Sequence, residues 1–262
     1  MTVPAGALWR TWTSYRGAPA VTRAFVAARL AIAPSATVSR QLEDVSGTVV
    51  SLGSGISVIE RLVAETRPDL SFVGIDLDPR RVEMIERTAA RSPRVTLRLG
   101  DATDLAAVDA YEGVLACDAF HHFPPDSHKP LAVSIARALK PGGVCIVKDL
   151  DVTPRWKYQW NRLHDRIVAG PDPIHCRAPA DMADLLASAG LEVEVAERID
   201  KRFTPYAHYV VRARRPWPGG PTHAPDALDA PRARVRDELA GVDLVGEPPA
   251  ERRSAARDED AT

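Results

Sequence analysis

From residue 48 to residue 214, short β-branched or apolar runs alternate with stretches whose apolar residues recur at helical spacing. No single motif constrains the fold as much. The alternation implies parallel strands joined by right-handed crossovers, with helices on both faces of one sheet. Strands are predicted over 48–52, 71–75, 95–99, 113–117 and 144–148. Ile59, Leu62 and Val63 give the first helix between them its apolar face. Val82, Ile85 and Ala89 do so for a second, which opens at Pro79. Leu131, Ile135 and Leu139 mark a third, closed by Pro141-Gly142-Gly143. A helix over 155–169 and another bearing Met182, Leu185, Leu186 and Ala189 form an insertion. Residues 191–195 and 206–213 read as closing strands. In such sheets the ligand lies beyond the carboxyl ends of the strands, where strand order reverses. Residues that directly follow a strand are therefore the site candidates.

The flanks read differently. The run APAVTRAFVAARLAIAPSA over 18–36 carries Arg23 and Arg29, so it is too charged for a membrane span. Val21, Phe25, Ala28 and Ile32 fall on one helical face, which predicts an amphipathic helix packed on the domain and suited to a lid. Residues 1–46 are thus expected to form an N-terminal helical cap and 47–214 the ligand-binding domain. Residues 215–262 turn proline-rich and poor in large apolar groups, which predicts a disordered tail with one short helix over 233–239. The net charge of −1 gives no global field toward nucleic acid or anionic lipid, so neither nucleic-acid binding nor stable membrane insertion is expected. Three separated cysteines, Cys117, Cys145 and Cys176, form neither a disulfide framework nor a C-x-x-C pair. A cytoplasmic setting is the expectation. Oligomeric state is left open.

Three motifs fall at strand ends. In Ser51-Leu52-Gly53-Ser54-Gly55-Ile56-Ser57, two glycines permit a tight turn and close approach of a ligand to the backbone. In Gly74-Ile75-Asp76-Leu77-Asp78-Pro79, Asp76 ends the second strand and can accept from ribose hydroxyls. Asp78 is the expected cap of the helix starting at Pro79. In Leu99-Gly100-Asp101-Ala102, Asp101 follows the third strand, either as an acceptor for an adenine amine or as a turn-former. In that order and register the three are far more specific than any one alone.

With the strand and turn VLACDAFHHF and the later ALKPGGVCIVKD, the chain resembles a class I S-adenosylmethionine-dependent methyltransferase over roughly residues 48–214. The resemblance implies a Rossmann-like seven-stranded sheet with its last strand antiparallel, and S-adenosyl-L-methionine as cofactor. It places Gly53 and Gly55 at the methionine portion, Asp76 at the ribose, Asp101 and Ala102 at the adenine and Asp118 at the methionine end, with Ser51 and Leu77 also counted as cofactor-binding. Two positions depart from the family pattern. Ser51 stands where an acid is common, and Ser57 stands where a third glycine is usual. The missing glycine, with GDA and LKPGG present, also argues against the runner-up for this loop, a pyridine-dinucleotide dehydrogenase.

Methyl transfer from a sulfonium needs alignment more than activation, and a base only where the acceptor must lose a proton. His121 is the candidate catalytic residue, as base or as acceptor-orienting group. His122 is expected to hold the turn or to touch the substrate. Asp149 ends the fifth strand and is a substrate-binding candidate, with pairing to Lys148 as the alternative. Trp156 and Trp160 either line an apolar acceptor pocket or pack the insertion onto the sheet. His164 and Asp165 are neighbours on a helix, so each needs a tertiary partner to act. Asp149 and Asp151 lack a second carboxylate cluster, so no metal site is expected.

The expected acceptor is a small hydrophobic or aromatic molecule. PRWKYQWNRLHD and PYAHYVVRARRP resemble a bacterial methyltransferase subgroup associated with acyl or polyketide pathways. The competing readings are a non-catalytic or cyclase-like protein of the same fold and, disfavoured by charge and by the absence of an Asn/Asp-Pro-Pro-Tyr turn, a nucleic-acid methyltransferase.

Overall fold

The computed structural model describes residues 3–88, 92–168, 170, 173–199 and 205–219. Seven strands form one sheet: β1 (Gly47–Leu52), β2 (Leu70–Asp76), β3 (Val95–Leu99), β4 (Tyr111–Cys117), β5 (Leu139–Leu150), β6 (Glu192–Arg198) and β7 (His208–Arg214). Their order is β3-β2-β1-β4-β5-β7-β6. The first five pair in parallel, and β7 runs antiparallel to both β5 and β6. The order reverses between β1 and β4, so the ligand crevice belongs beyond Leu52 and Cys117.

Strand alternation divides the core between the two faces of the sheet. Val49, Leu115, Val144 and Ile146 face α3 (Ser35–Gln41) and α4 (Val58–Thr66), where Val38, Ile59 and Val63 complete the packing. Val50, Leu52, Val114, Ala116, Cys145 and Val147 face α6 (His128–Ala138) and α8 (Pro179–Ser188), with Leu131, Ile135, Met182 and Leu186. The central strands are buried on both faces and read as near-continuous apolar runs for that reason. α5 (Pro79–Glu86) starts as expected, with the Asp78 carboxylate accepting from Arg80 N at 3.0 Å.

Three expectations need amendment. α6 stops at Ala138 instead of running to the Pro141-Gly142-Gly143 segment, which belongs to a longer β5. There Gly142 N donates to Arg215 O and Arg215 N to Gly143 O, so the chain beyond β7 takes up those backbone groups as a sheet does. Gly142, at φ +78°, makes the bend. The cap opens with a helix the periodicity does not announce, α1 (Ala5–Ser14), ahead of the expected α2 (Ala20–Ile32). α2 also packs by the face opposite to the expected one. Val26 is buried, while Val21, Phe25 and Ile32 are 77%, 37% and 39% exposed. The inward face is the one that carries Arg29 to Asp118. Ala89, the short helix over 233–239 and tail residues 220–262 lie outside the described residues. No single described helix is long and apolar enough to cross a membrane.

Candidate active site

The loop after β1 passes through the left-handed region three times, at Gly53 (φ +61°), Gly55 (φ +59°) and Ser57 (φ +56°). The two glycines serve different ends. A Cβ on Gly53 would sit 2.8 Å from the Cβ of Ala119, so its absence lets the β1 loop and the β4 turn approach. A Cβ on Gly55 would meet nothing within 4 Å, so that backbone lies open to a ligand. Ser57 is buried and carries the strained conformation with a side chain, at a cost on the order of 1 kcal/mol. The departure from glycine is therefore backbone strain as well as bulk.

Ser51 is fully buried, and its hydroxyl donates to the Glu60 carboxylate of α4. A buried acid thus lies against Ser51 from the helix beneath it. Burial pushes the Glu60 carboxyl up, against the Ser51 hydrogen bond and the charge of Arg29. Its trace in the sequence was a lone acid among Val58, Ile59 and Leu62.

Asp76 is 4% exposed at the end of β2. One oxygen accepts from Gly55 N at 2.8 Å and the other from Asp78 N at 3.0 Å, so a single carboxylate ties the glycine loop to the start of α5. Arg81 reaches the same carboxylate at 3.1 Å. Leu77 beside it is 65% exposed. The Asp101 Oδ1 accepts from both Thr103 N and Thr103 Oγ1, which is the turn-forming role, and the Ala102 side chain is buried in the core.

Asp118 follows β4 at φ +54°. Lys148 Nζ donates to it, Arg29 of α2 lies 2.7 Å away and His208 of β7 3.9 Å away. Burial alone would raise this carboxyl, but Lys148, Arg29 and His208 together hold it far below the usual carboxylate range. Two fixed cations face this one carboxylate, a surplus suited to the α-carboxylate of an amino-acid ligand. Tyr15, at the end of α1, donates to Ile56 O at 2.7 Å and so fastens the cap to the glycine loop. Neither Tyr15 nor Arg29 carries a motif, so their roles were not readable from the sequence.

The other wall of the crevice is the 3-10 turn Phe120–His122. Here the sequence assignment is corrected, because the histidine that fixes the turn is His121 and not His122. The backbone N of His121 donates to Asp149 Oδ2 at 3.0 Å, and its Nδ1 is bonded to Asp149 Oδ1. His128 adds a second brace through Nε2 to Phe123 O at 2.9 Å, with Arg177 donating to its Nδ1. Asp149 does not pair with Lys148. The two are consecutive on a strand and face opposite sides of the sheet, so Lys148 meets Asp118 and Asp149 meets the turn. Asp151 is taken by Arg198 at 2.6 Å.

His121 is 2% exposed, and its Nε2 has no hydrogen-bond partner. Burial lowers the basicity of the ring, but the Asp149 charge and hydrogen bond outweigh it and raise the pKa to about 10. α7 (Arg155–Val168) brings Asp165 Oδ1 to 3.6 Å from both His121 Nε2 and His122 Nε2. His164 turns away and meets the Tyr206 ring edge-on at 5.4 Å. Both therefore have the tertiary partners their spacing required. Trp156 and Trp160 do not pack the insertion onto the sheet; they are 60% and 44% exposed.

Residues 49–143 match the family model described as a methyltransferase domain. Among solved structures, an S-adenosylmethionine-dependent methyltransferase from Methanosarcina mazei is 18% identical, with 70% of this chain and 98% of that one covered and a TM-score of 0.56. Human N-acetylserotonin methyltransferase, solved in complex with S-adenosylmethionine, is 18% identical over 82% of this chain and 60% of that one, with a TM-score of 0.58. The cyclase SpnF is 15% identical over 70% of this chain and 81% of that one, with a TM-score of 0.54. No curated protein sequence matches the chain. The open backbone at Gly55, the ribose-type acid Asp76 and the cationic surplus around Asp118 suit the nucleoside and amino-acid parts of S-adenosylmethionine. Residues 49–143 thus carry a methyltransferase domain by sequence, and the seven-stranded sheet shares the fold of solved S-adenosylmethionine-dependent methyltransferases.

Proposed function

We propose that the protein methylates an oxygen of a small hydrophobic or aromatic molecule held against the Phe120–His122 turn. The observation that carries this is His121 Nε2, the one buried imidazole nitrogen without a hydrogen-bond partner among the described residues, on a ring fixed from behind by Asp149. A polar atom left so at the crevice wall is suited to an acceptor's hydroxyl or carboxyl group. Phe120 and Phe123, packed edge-to-face at 5.6 Å and buried, anchor that turn in the core.

When bound, the cofactor supplies an electrophilic methyl on a sulfonium sulfur. The chain's own residues do the rest. Gly53, Gly55 and the amides after them receive the methionine portion over the β1 loop. Asp76 receives the ribose hydroxyls, for which Arg81 must give way. Leu77, Asp101 and the backbone at Ala102 border the adenine. Arg29, Lys148 and Asp118 hold the amino-acid end, and residues 1–46 act as a cap that shuts it from water. His121 orients the acceptor, with His122 and Asp149 beside and behind it. Trp156 and Trp160 present an apolar rim on α7.

Calorimetry with S-adenosylmethionine tests the cofactor half. The native protein binds, and Asp76→Ala binds at least about tenfold more weakly, as expected for the loss of charge-assisted hydrogen bonds. Isotope-labelled cofactor incubated with small-molecule extract tests the acceptor half. Labelled O-methyl product and S-adenosylhomocysteine are expected, and both fall in His121→Asn. Tight cofactor binding with no methylated product from any extract would favour a cyclase-like role instead.

A further inference from the structure

We propose that His121, His122 and Asp165 form a binding site for one divalent transition-metal ion. Each offers one ligand atom, and the three atoms lie within 4.8 Å of one another. The two measured separations, His121 Nε2 and His122 Nε2 to Asp165 Oδ1, are both 3.6 Å. That spacing decides between two explanations. At 3.6 Å neither contact is a hydrogen bond. Yet two ligands bound at about 2.1 Å and spread by the tetrahedral angle stand about 3.4 Å apart. Those two separations are too open for hydrogen bonds and within a few tenths of an ångström of a coordination shell, and the third lies within 4.8 Å.

A second observation points the same way. His121 is 2% exposed, and its Nε2 faces this cluster without a hydrogen-bond partner. Its other nitrogen is fixed on Asp149, itself 2% exposed. A carboxylate behind a histidine orients the ring and strengthens it as a ligand, and metal-binding histidines are commonly held so. Without a cation, two carboxylates, Asp149 and Asp165, crowd one imidazole ring. A dication would balance both with the histidines neutral.

Two imidazoles and one carboxylate favour Zn²⁺ or Fe²⁺ over Mg²⁺ or Ca²⁺, which prefer oxygen. Three protein ligands leave at least one position for water or for an oxygen of the acceptor. That last point rests on the proposed O-methylation, whereas the site itself does not. The inward face of α7 acquires a purpose, since it delivers Asp165 from a separate element to two histidines adjacent in sequence.

The test is titration of the full chain, freed of metal by chelator, with Co²⁺ followed by its visible d–d absorption, and with Zn²⁺ by calorimetry. The expected result is one saturable site per chain, with affinity reduced tenfold or more in His122→Ala and in Asp165→Ala. His121→Ala is avoided because that residue also braces the turn. His164→Ala, one residue from Asp165, is expected to bind as the native protein does. Mg²⁺ at the same concentration is expected not to compete. No saturable Co²⁺ site, or one unchanged in both His122→Ala and Asp165→Ala, overturns the proposal. S-adenosylmethionine binding measured on the same samples separates the two readings. Cofactor binding without metal binding removes only the metal site, and metal binding without cofactor binding removes only the methyl-transfer reading.

Discussion

α4 turns Ile59 and Val63 onto the sheet, buries Leu62 and keeps Arg61 and Glu65 paired along its edge. α7 does the reverse. It buries Lys157 and Asn161, brings Asp165 to the turn, and leaves Trp156, Trp160, Leu163 and Ile167 exposed. Those four fall at helical spacing on one stripe. Both helices are amphipathic, so period alone does not separate them. They differ in which face the rest of the molecule needs. α4 completes a hydrophobic core, where buried apolar area is the favourable term. α7 roofs a polar site, where Asn161 Nδ2 donates to Ala207 O and Asp165 meets two histidines. α2 repeats the lesson, because its inward face is the one that carries Arg29.

Substitutions can break or sharpen this contrast. The largest effect is expected for Leu62→Ala on α4, which removes a 1% exposed core side chain and should cost about 2–5 kcal/mol by denaturant unfolding. A cost under about 1 kcal/mol would mean that α4 is not the packed partner described here.

His208 of β7 lies between the two sides of the crevice. It is faced by Lys148, Asp118, Arg29 and His121. Burial first, and then the Lys148 charge, lowers its pKa to about 3. A base depressed in the folded state binds more protons when unfolded. Its stabilising effect is therefore complete above about pH 6.5 and lost as pH falls toward 3, on the order of a few kcal/mol. Asp118, also depressed, extends the loss below the usual carboxylate range. Thermal melts from pH 7.5 to 4 should show the decline, and His208→Asn should flatten it between about pH 6.5 and 4.5. An equally steep decline in the variant would remove His208 from the account.

Ser57→Gly should stabilise the protein by roughly 1 kcal/mol, because the left-handed backbone there loses its side-chain penalty. Destabilisation instead would show that the 3.4 Å contact from Ser57 Oγ to Ser54 Oγ matters more than the strain. The smallest effect is expected for Ile167→Ala. It is 75% exposed and should change stability by no more than about 0.5 kcal/mol. A cost near that of Leu62→Ala would mean that the α7 stripe is covered in solution, and the contrast with α4 would fail.

The sequence by itself determined the sheet and the loops at its strand ends. Strand runs, helix periods and the motifs around Gly53, Asp76 and Asp101 are local, because each hangs on one strand end and the backbone that follows. Hydrogen bonding and burial act there over a few residues, and those leave a pattern. The tertiary structure alone decided the far wall of the crevice and which face of α2 turns inward. Glu60 meets Ser51 only because α4 lies under β1. Lys148 and Asp149 part company because successive side chains of a strand face opposite ways. Arg29 and Tyr15 reach the site only because the cap folds over it, and Asp165 meets His121 only because α7 packs with its polar face inward. Contacts between distant elements depend on how those elements dock, and periodicity along the chain does not specify which face does so.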